Sequence, residues 1–169
     1  MRLRTVKGLA LGLLMTLVIA APAAAQSSSL TNVFAGLNLA VFEGETGFGF
    51  TGGLMKGVGS SGKMSIVGEA ALSWYDGFNV TALQGGLAFK VWESGANAIG
   101  VRGVAGVEIC GCFDETITDF AFEPGAFYTR QLNPKTNLHL GYGIRMVAFE
   151  EQWDVEQVFT FAIGFNIGG

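Results

Sequence analysis

Histidine and cysteine, two residue types common in catalytic and metal sites, are scarce in this sequence, which has one histidine and two cysteines. His139 is the only histidine, so a serine–histidine–acid mechanism would have to use it, because the imidazole must accept the proton of the nucleophile. The glycine-rich pieces at 47–49 and 52–53 lack the strand-to-helix context of a phosphate-binding loop. The sequence therefore predicts no catalytic residue and no cofactor.

The two cysteines, Cys110 and Cys112, stand one residue apart in what we predict to be the longest loop, residues 110–118. An exported chain favours oxidised cysteines, so a disulfide between them is one interpretation, although it closes a very small ring. A second interpretation is a metal site formed by the two thiolates together with Asp114 or Glu115, but the sequence has no four-ligand zinc spacing. An ordinary loop, bridged or not, is favoured over a metal site.

Charged side chains of both signs recur within segments that are otherwise small or apolar. They fall on the same side of these segments as glycine, alanine, serine and threonine, which suits a narrow enclosed space. A buried charge needs an opposite partner, and opposite charges directly across a sheet stabilise it. A turn at Asn133 would place Glu123 opposite Arg145. The same turn would place Thr129 opposite His139. We therefore expect an internal polar network made of Glu69, Lys90, Arg102, Glu108, Glu123, His139 and Arg145, with Glu156 as a further candidate.

The elements that would position these charges are segments in which large apolar residues alternate with small or polar ones. A two-residue period is typical of β-strands, and the last segment, with Phe159, Phe161 and Phe165 on one side, shows it most clearly. Turn residues separate the segments. Strands are predicted at about residues 32–42, 47–56, 63–74, 80–92, 98–109, 119–130, 136–148 and 158–167, with a final loop at 150–154.

Composition decides which face of these strands points outward. In a soluble barrel the solvated face would be rich in lysine and glutamate, yet the less apolar face here is mostly glycine, alanine, serine and threonine. Hydrophobic residues make up 50% of the chain, but after the N-terminal segment no apolar run approaches the ~18 residues of a spanning helix. The pattern predicts an all-β fold: an eight-stranded antiparallel up-and-down transmembrane β-barrel whose large apolar side chains face lipid.

Two further features follow from the barrel prediction. Pro124 lies inside the sixth segment, and a closed barrel has no edge strand to hold it, so we expect a β-bulge there. Aromatic residues near the strand ends are expected to form the girdles that mark the two membrane interfaces. The expected girdle residues are Phe42, Phe48, Trp74, Phe120, Tyr128 and Phe165.

The start of the chain indicates the compartment. A basic head, an apolar run and an exit of small residues predict a cleaved secretory signal peptide at residues 1–25, leaving one domain at 26–169. The head contains Arg2, Arg4 and Lys7, and their removal leaves seven basic against fourteen acidic residues, a net charge of −7. This balance excludes a nucleic-acid partner, which requires clustered basic charge.

The predicted connections also segregate by charge. With the N-terminus on the periplasmic side, the connections that follow odd-numbered strands face outside and carry acids alone: Glu43, Glu45, Asp76, Asp114, Glu115, Glu150, Glu151 and Asp154. The periplasmic turns and strand ends carry Lys56, Lys63, Arg130 and Lys135, with Glu93 as the only acid.

The signal peptide, the eight alternating segments and the final phenylalanine-rich strand resemble the OmpA/OmpX-type family of outer-membrane β-barrels over residues 26–169. The resemblance implies an outer-membrane location, contact with lipid and lipopolysaccharide, and delivery by periplasmic chaperones and the barrel assembly machinery. That machinery recognises a C-terminal aromatic residue in the family, whereas this sequence ends with Ile167 and two glycines. The lipid A deacylases of similar fold carry a serine two residues after the histidine, where this chain has Gly141.

The expected function is therefore that of a non-enzymatic outer-membrane protein with an envelope-structural or surface-interaction role. The acidic outer connections suit divalent cations at the lipopolysaccharide surface, or host or phage ligands. One alternative is a narrow channel for ions or small solutes. Another is a soluble periplasmic barrel of lipocalin type, in which the apolar face would line a ligand pocket.

Overall fold

The computed structural model describes residues 31–59, 61–112, 115–149 and 152–167, and the predicted signal peptide lies outside this part of the chain. Eight strands follow one another, each antiparallel to the next, and the last pairs with the first to close a barrel, which confirms the predicted fold. Among the described residues, no helix has the length and hydropathy of a membrane span. The strands are β1 (Thr31–Phe42), β2 (Glu45–Val58), β3 (Met64–Trp74), β4 (Phe78–Ser94), β5 (Asn97–Cys112), β6 (Glu115–Asn133), β7 (Thr136–Phe149) and β8 (Gln152–Ile167).

The two-residue period of the sequence becomes the division between the outer surface and the lumen. In β8, Phe159, Phe161 and Phe165 are exposed on the outside, whereas Val158 and Ala162 are buried inside. Successive side chains of a strand point to opposite faces, so each strand contributes one apolar row outside and one row of small or polar residues inside. The small inner residues are needed because the lumen of an eight-stranded barrel is only wide enough for side chains.

The strands are longer at one end than the sequence predicted. The loop predicted at 110–118 is wrong for most of its length: β5 continues to Cys112, β6 starts at Glu115, and Cys110 pairs with Ile117. Thr116, Ile117 and Thr118 are β-branched and favour an extended backbone, and their pairing with β5 extends the ladder. The predicted final loop at 150–154 is wrong for residues 152–154, which belong to β8 and pair with β7.

The bulge predicted at Pro124 is absent. Phe122 pairs with Met146 and Gly125 pairs with Gly143, so both strands advance equally and no extra residue is inserted. Proline lacks the N–H group of a ladder bond, and here the pairing is interrupted without a change of register. The register shifts lie elsewhere in the described strands, between Lys90 and Trp92 in β4 and between Gln131 and Asn133 in β6.

The barrel has two rims of opposite charge. The terminal rim is the end where Thr31 pairs with Ile167, and the distal rim is the end with the two-residue turn Glu43–Gly44, both residues of which have positive φ (49° and 87°). Lys56, Lys63, Arg130 and Lys135 belong to the terminal rim, and Glu43, Glu45, Asp76 and Asp154 to the distal rim. Of the other predicted outer acids, Asp114, Glu150 and Glu151 lie outside the described residues, as does the side chain of Glu115.

Candidate functional site

The middle of the lumen is occupied by ion pairs centred on Arg145, whose side chain is almost completely buried. Its Nε donates a hydrogen bond to Glu123 Oε2 at 3.0 Å. Its Nη1 donates to Glu156 Oε2 at 2.7 Å and lies 3.4 Å from Glu108 Oε2. One guanidinium thus serves three carboxylates from three strands, a role for which its fixed fork of five donors is suited.

A second guanidinium, that of Arg102, extends the same set of ion pairs across the lumen. Its Nη1 donates to Glu69 and its Nη2 donates to the other oxygen of Glu123. Glu123 has no exposed surface and joins the two arginines. We call these six residues the charged layer: Glu69, Arg102, Glu108, Glu123, Arg145 and Glu156.

The sheet register brings these side chains together. Arg145 is the direct cross-strand partner of Glu156, and the register of β6 and β7 places Glu123 beside Arg145, as the charge pattern predicted. Glycine supplies the space: a Cβ atom on Gly143 would lie 2.8 Å from Cγ and Cδ of Glu123. The glycines of the inner face therefore make room for buried ionic side chains.

Substituting Gly143 by alanine should destabilise the barrel by about 1–3 kcal/mol, because the added methyl displaces the Glu123 carboxylate from its arginine partners. Gly68→Ala is the matched control, since its Cβ would meet only Leu54 Cγ at 3.9 Å. Denaturant unfolding in lipid vesicles measures both variants. Equal stability of the two variants would show that the space beside Glu123 is not limiting.

Two predicted network members lie outside the charged layer. Lys90 belongs to the terminal rim, where its ammonium lies 3.2 Å from Glu93 and both side chains are partly exposed (31% and 56%). Lys90 lies next to the register shift of β4, close to the end of that strand. His139 is buried and its ring stacks between Phe34 (centroids 5.2 Å apart) and Phe127 (6.0 Å). Its predicted cross-strand partner, Thr129, is the one observed.

Tyr75 is a lumen residue that sequence reasoning missed by placing it in a loop. It follows the last residue of β3 and keeps the inward parity of Glu69 and Ser73, which is the signal that could have found it. Its hydroxyl donates to Glu156, and its ring stacks on Phe78 at 4.6 Å. Burial raises the pKa of the Tyr75 phenol and the Glu156 carboxylate raises it further, so the hydroxyl stays protonated.

Cys110 is disulfide-bonded and lines the distal part of the lumen. The side chain of Cys112, the other cysteine of the sequence, lies outside the described part of the structure. In the regions that the structure describes, no group of three or more histidine, cysteine, aspartate or glutamate side chains is arranged to hold a metal ion.

The charged layer lies between two cavities. The distal cavity has a volume of about 330 Å³ and the terminal cavity about 350 Å³. Along β5, Ala98 lines the terminal cavity, Arg102 is buried between the two, and Glu108 lines the distal cavity. The same order holds in β6, where Thr129 lines the terminal cavity, Glu123 is buried between the two cavities and Asp119 lines the distal cavity. Buried ion pairs therefore separate the two ends of the lumen.

The outer surface is an apolar belt, and this decides between a lipid-facing and a soluble barrel. Large apolar side chains such as Leu37, Phe50 and Phe161 are exposed on it, while the lumen holds the buried charges. The lipocalin alternative requires the apolar face inside, so it is wrong.

All three tryptophans, Trp74, Trp92 and Trp153, are exposed near strand ends, where interfacial girdles form; the last two were not among the predicted girdle residues. Of the predicted girdle residues, Phe48 and Phe165 are exposed on the outside together with Trp74. Phe42 instead lines the distal cavity, because it shares the inward parity of Asn38 and Ala40.

Comparison with solved structures agrees with this architecture. Neisserial surface protein A superimposes with a TM-score of 0.61 at 10% sequence identity, covering 85% of this chain and 98% of that one. Ail, the attachment invasion locus protein of Yersinia pestis, solved with the heparin analogue sucrose octasulfate, gives 0.56 at 10% identity, covering 83% and 100%. No protein-family model and no curated protein sequence matches the chain. The chain has the fold of small eight-stranded outer-membrane barrels, with a lipid-facing outer belt.

Proposed function

We propose that this chain is a non-enzymatic outer-membrane protein that acts in the envelope itself, as a structural or surface component, rather than as an open pore. The charged layer is the observation that carries this proposal. A path for solutes would have to break ion pairs around Glu123 and Arg145, whose side chains are essentially without solvent contact. His139 is stacked between phenylalanine rings instead of serving a nucleophile, which supports a function without catalysis.

The distal rim is the part that we propose to face outside and to contact the lipopolysaccharide surface. It carries Glu43, Glu45, Asp76 and Asp154, and carboxylates are the ligands through which divalent cations would bridge the protein to anionic phosphates. Two of the connections at this rim are short, residues 43–44 and 75–77, and both carry acidic side chains. The opposite, basic rim would face the periplasm, where chaperones and the barrel assembly machinery deliver the chain.

The envelope role is tested by deleting the gene and measuring sensitivity to detergent and to a divalent-cation chelator. We expect increased sensitivity in the deletion strain. Wild-type protein should restore resistance, and a Glu43→Gln, Glu45→Gln, Asp76→Asn variant should not, because it lacks three of the carboxylates of the distal rim. Glu93→Gln, at the terminal rim, is the matched control and should restore it. A deletion strain with normal resistance would contradict the proposal, as would a change in lipid A acylation on overexpression.

A narrow ion channel is the second candidate, favoured by the two cavities that approach the charged layer from opposite ends. In planar bilayers we expect no conductance from the wild-type protein and stepwise conductance from a Glu123→Ala, Arg145→Ala double variant, since the variant removes the centre of the layer. Wild-type conductance would favour the channel. If that conductance survived unchanged in the double variant, the layer would not be its gate.

A further inference from the structure

The distal cavity combines an aromatic wall with carboxylates, and the envelope role proposed above does not use this combination. Tyr75 and Phe78 form one side of the wall with parallel rings (interplanar angle 5°). Further apolar side chains complete it: Phe42, Val80, Ile117 and Val147. Concave apolar sites with a few converging polar groups are the usual form of small-molecule sites.

The polar groups of this cavity are of one sign. Among the described residues, its lining contains four carboxylates, Glu108, Asp119, Asp154 and Glu156, and no lysine or arginine. Two of these carboxylates, Glu108 and Glu156, also belong to the charged layer, so the cavity and the layer together contain six carboxylates and two guanidiniums among the described residues. The distal half of the lumen therefore has excess negative charge next to low-dielectric walls, which focuses an attractive field on cations.

We propose that the distal cavity binds a small organic cation that has an apolar or aromatic body. The ammonium group would lie toward the carboxylates of Asp119 and Asp154, and the body would pack on the rings of Tyr75 and Phe78. A face of an aromatic ring attracts ammonium groups, so the wall and the carboxylates select for the same charge. A metal cation gains nothing from the apolar wall, and an anion is repelled by the carboxylates.

Benzyltrimethylammonium is the probe, titrated calorimetrically into the protein in lipid nanodiscs, with empty nanodiscs subtracted. Benzyl alcohol is the neutral control and benzenesulfonate is the anionic control, since both contain the same phenyl ring as the probe. We expect the cation to bind, its affinity to fall as salt is raised, and the controls to bind at least about tenfold more weakly.

Substitutions test the contributions of the carboxylates and of the aromatic wall to binding separately. Asp119→Asn with Asp154→Asn should weaken cation binding about tenfold, and Phe78→Leu should weaken it several-fold, while Glu93→Gln at the terminal rim leaves it unchanged. Unboiled gel mobility confirms that each variant is folded. Equal binding of cation and neutral control would overturn the proposal, and so would unchanged affinity in the folded double variant. Either result leaves the envelope phenotype untouched, so the two proposals fail separately.

Discussion

Replacing Arg145 by methionine should lower the free energy of unfolding by about 3–5 kcal/mol, among the largest effects of any single substitution in this barrel. Arg145 is buried and holds Glu123, Glu156 and Glu108 at once. Without it, Glu123 keeps Arg102, but the other two carboxylates lose the basic partner that the structure shows for them. The cost is that of leaving buried charge uncompensated, which exceeds the net gain from forming an ion pair.

The matched control is Lys90→Met, which removes a partly exposed pair with Glu93 at the terminal rim. Such pairs contribute about 0–1 kcal/mol, so this variant should unfold almost as the wild type does. Arg145→Lys should lie between the two, because one ammonium cannot reach three carboxylates with the geometry of a guanidinium. Denaturant titration in vesicles, followed by gel mobility, gives all three values. A loss below about 1 kcal/mol for Arg145→Met would mean that water, rather than the arginine, compensates the carboxylates.

Phe161→Arg should destabilise the barrel by about 2–4 kcal/mol, because it places a charge in the middle of the apolar belt. Phe161 is exposed on the outer face of β8 and pairs with Leu37 in the middle of β1. Met64→Arg is the control, since Met64 is also exposed on the outside but is the first residue of β3. Near an interface the same substitution costs only about 0–1 kcal/mol.

The comparison of these two variants in lipid vesicles is informative because both add the same charge to the same surface. A depth dependence is expected only if that surface is in contact with a hydrocarbon layer. Equal costs for the two arginines, or no cost for either, would contradict the lipid-facing assignment of the belt.

The strands and their faces could be predicted from the sequence because the two-residue period is local. Phe159, Phe161 and Phe165 define a row whatever their partners are, and the small residues between them define the other face. The pairing of Thr129 with His139 was also predictable, since the turn between β6 and β7 is short and the separation along the chain is small.

The strand ends and the membership of the charged layer could not be predicted in this way. Whether the residues near Cys110 continue strand β5 depends on their pairing with β6. The turn propensity of the local sequence gives no information about that pairing. Which charges meet depends on the stagger of strands around the whole barrel. That stagger brings Arg102 to Glu69, leaves Lys90 at the terminal rim, and carries the hydroxyl of Tyr75 to Glu156.

The lipid-facing belt is tested most directly by the fluorescence of the native tryptophans, which requires no substitution. Trp74, Trp92 and Trp153 are all exposed on the outer surface near strand ends. In vesicles, we predict strong quenching by lipids brominated near the headgroup end of the acyl chain and weaker quenching by lipids brominated near its tail. Aqueous iodide should have little effect. Full access to iodide with no quenching by brominated lipid would place these residues in water and contradict a barrel that faces the membrane.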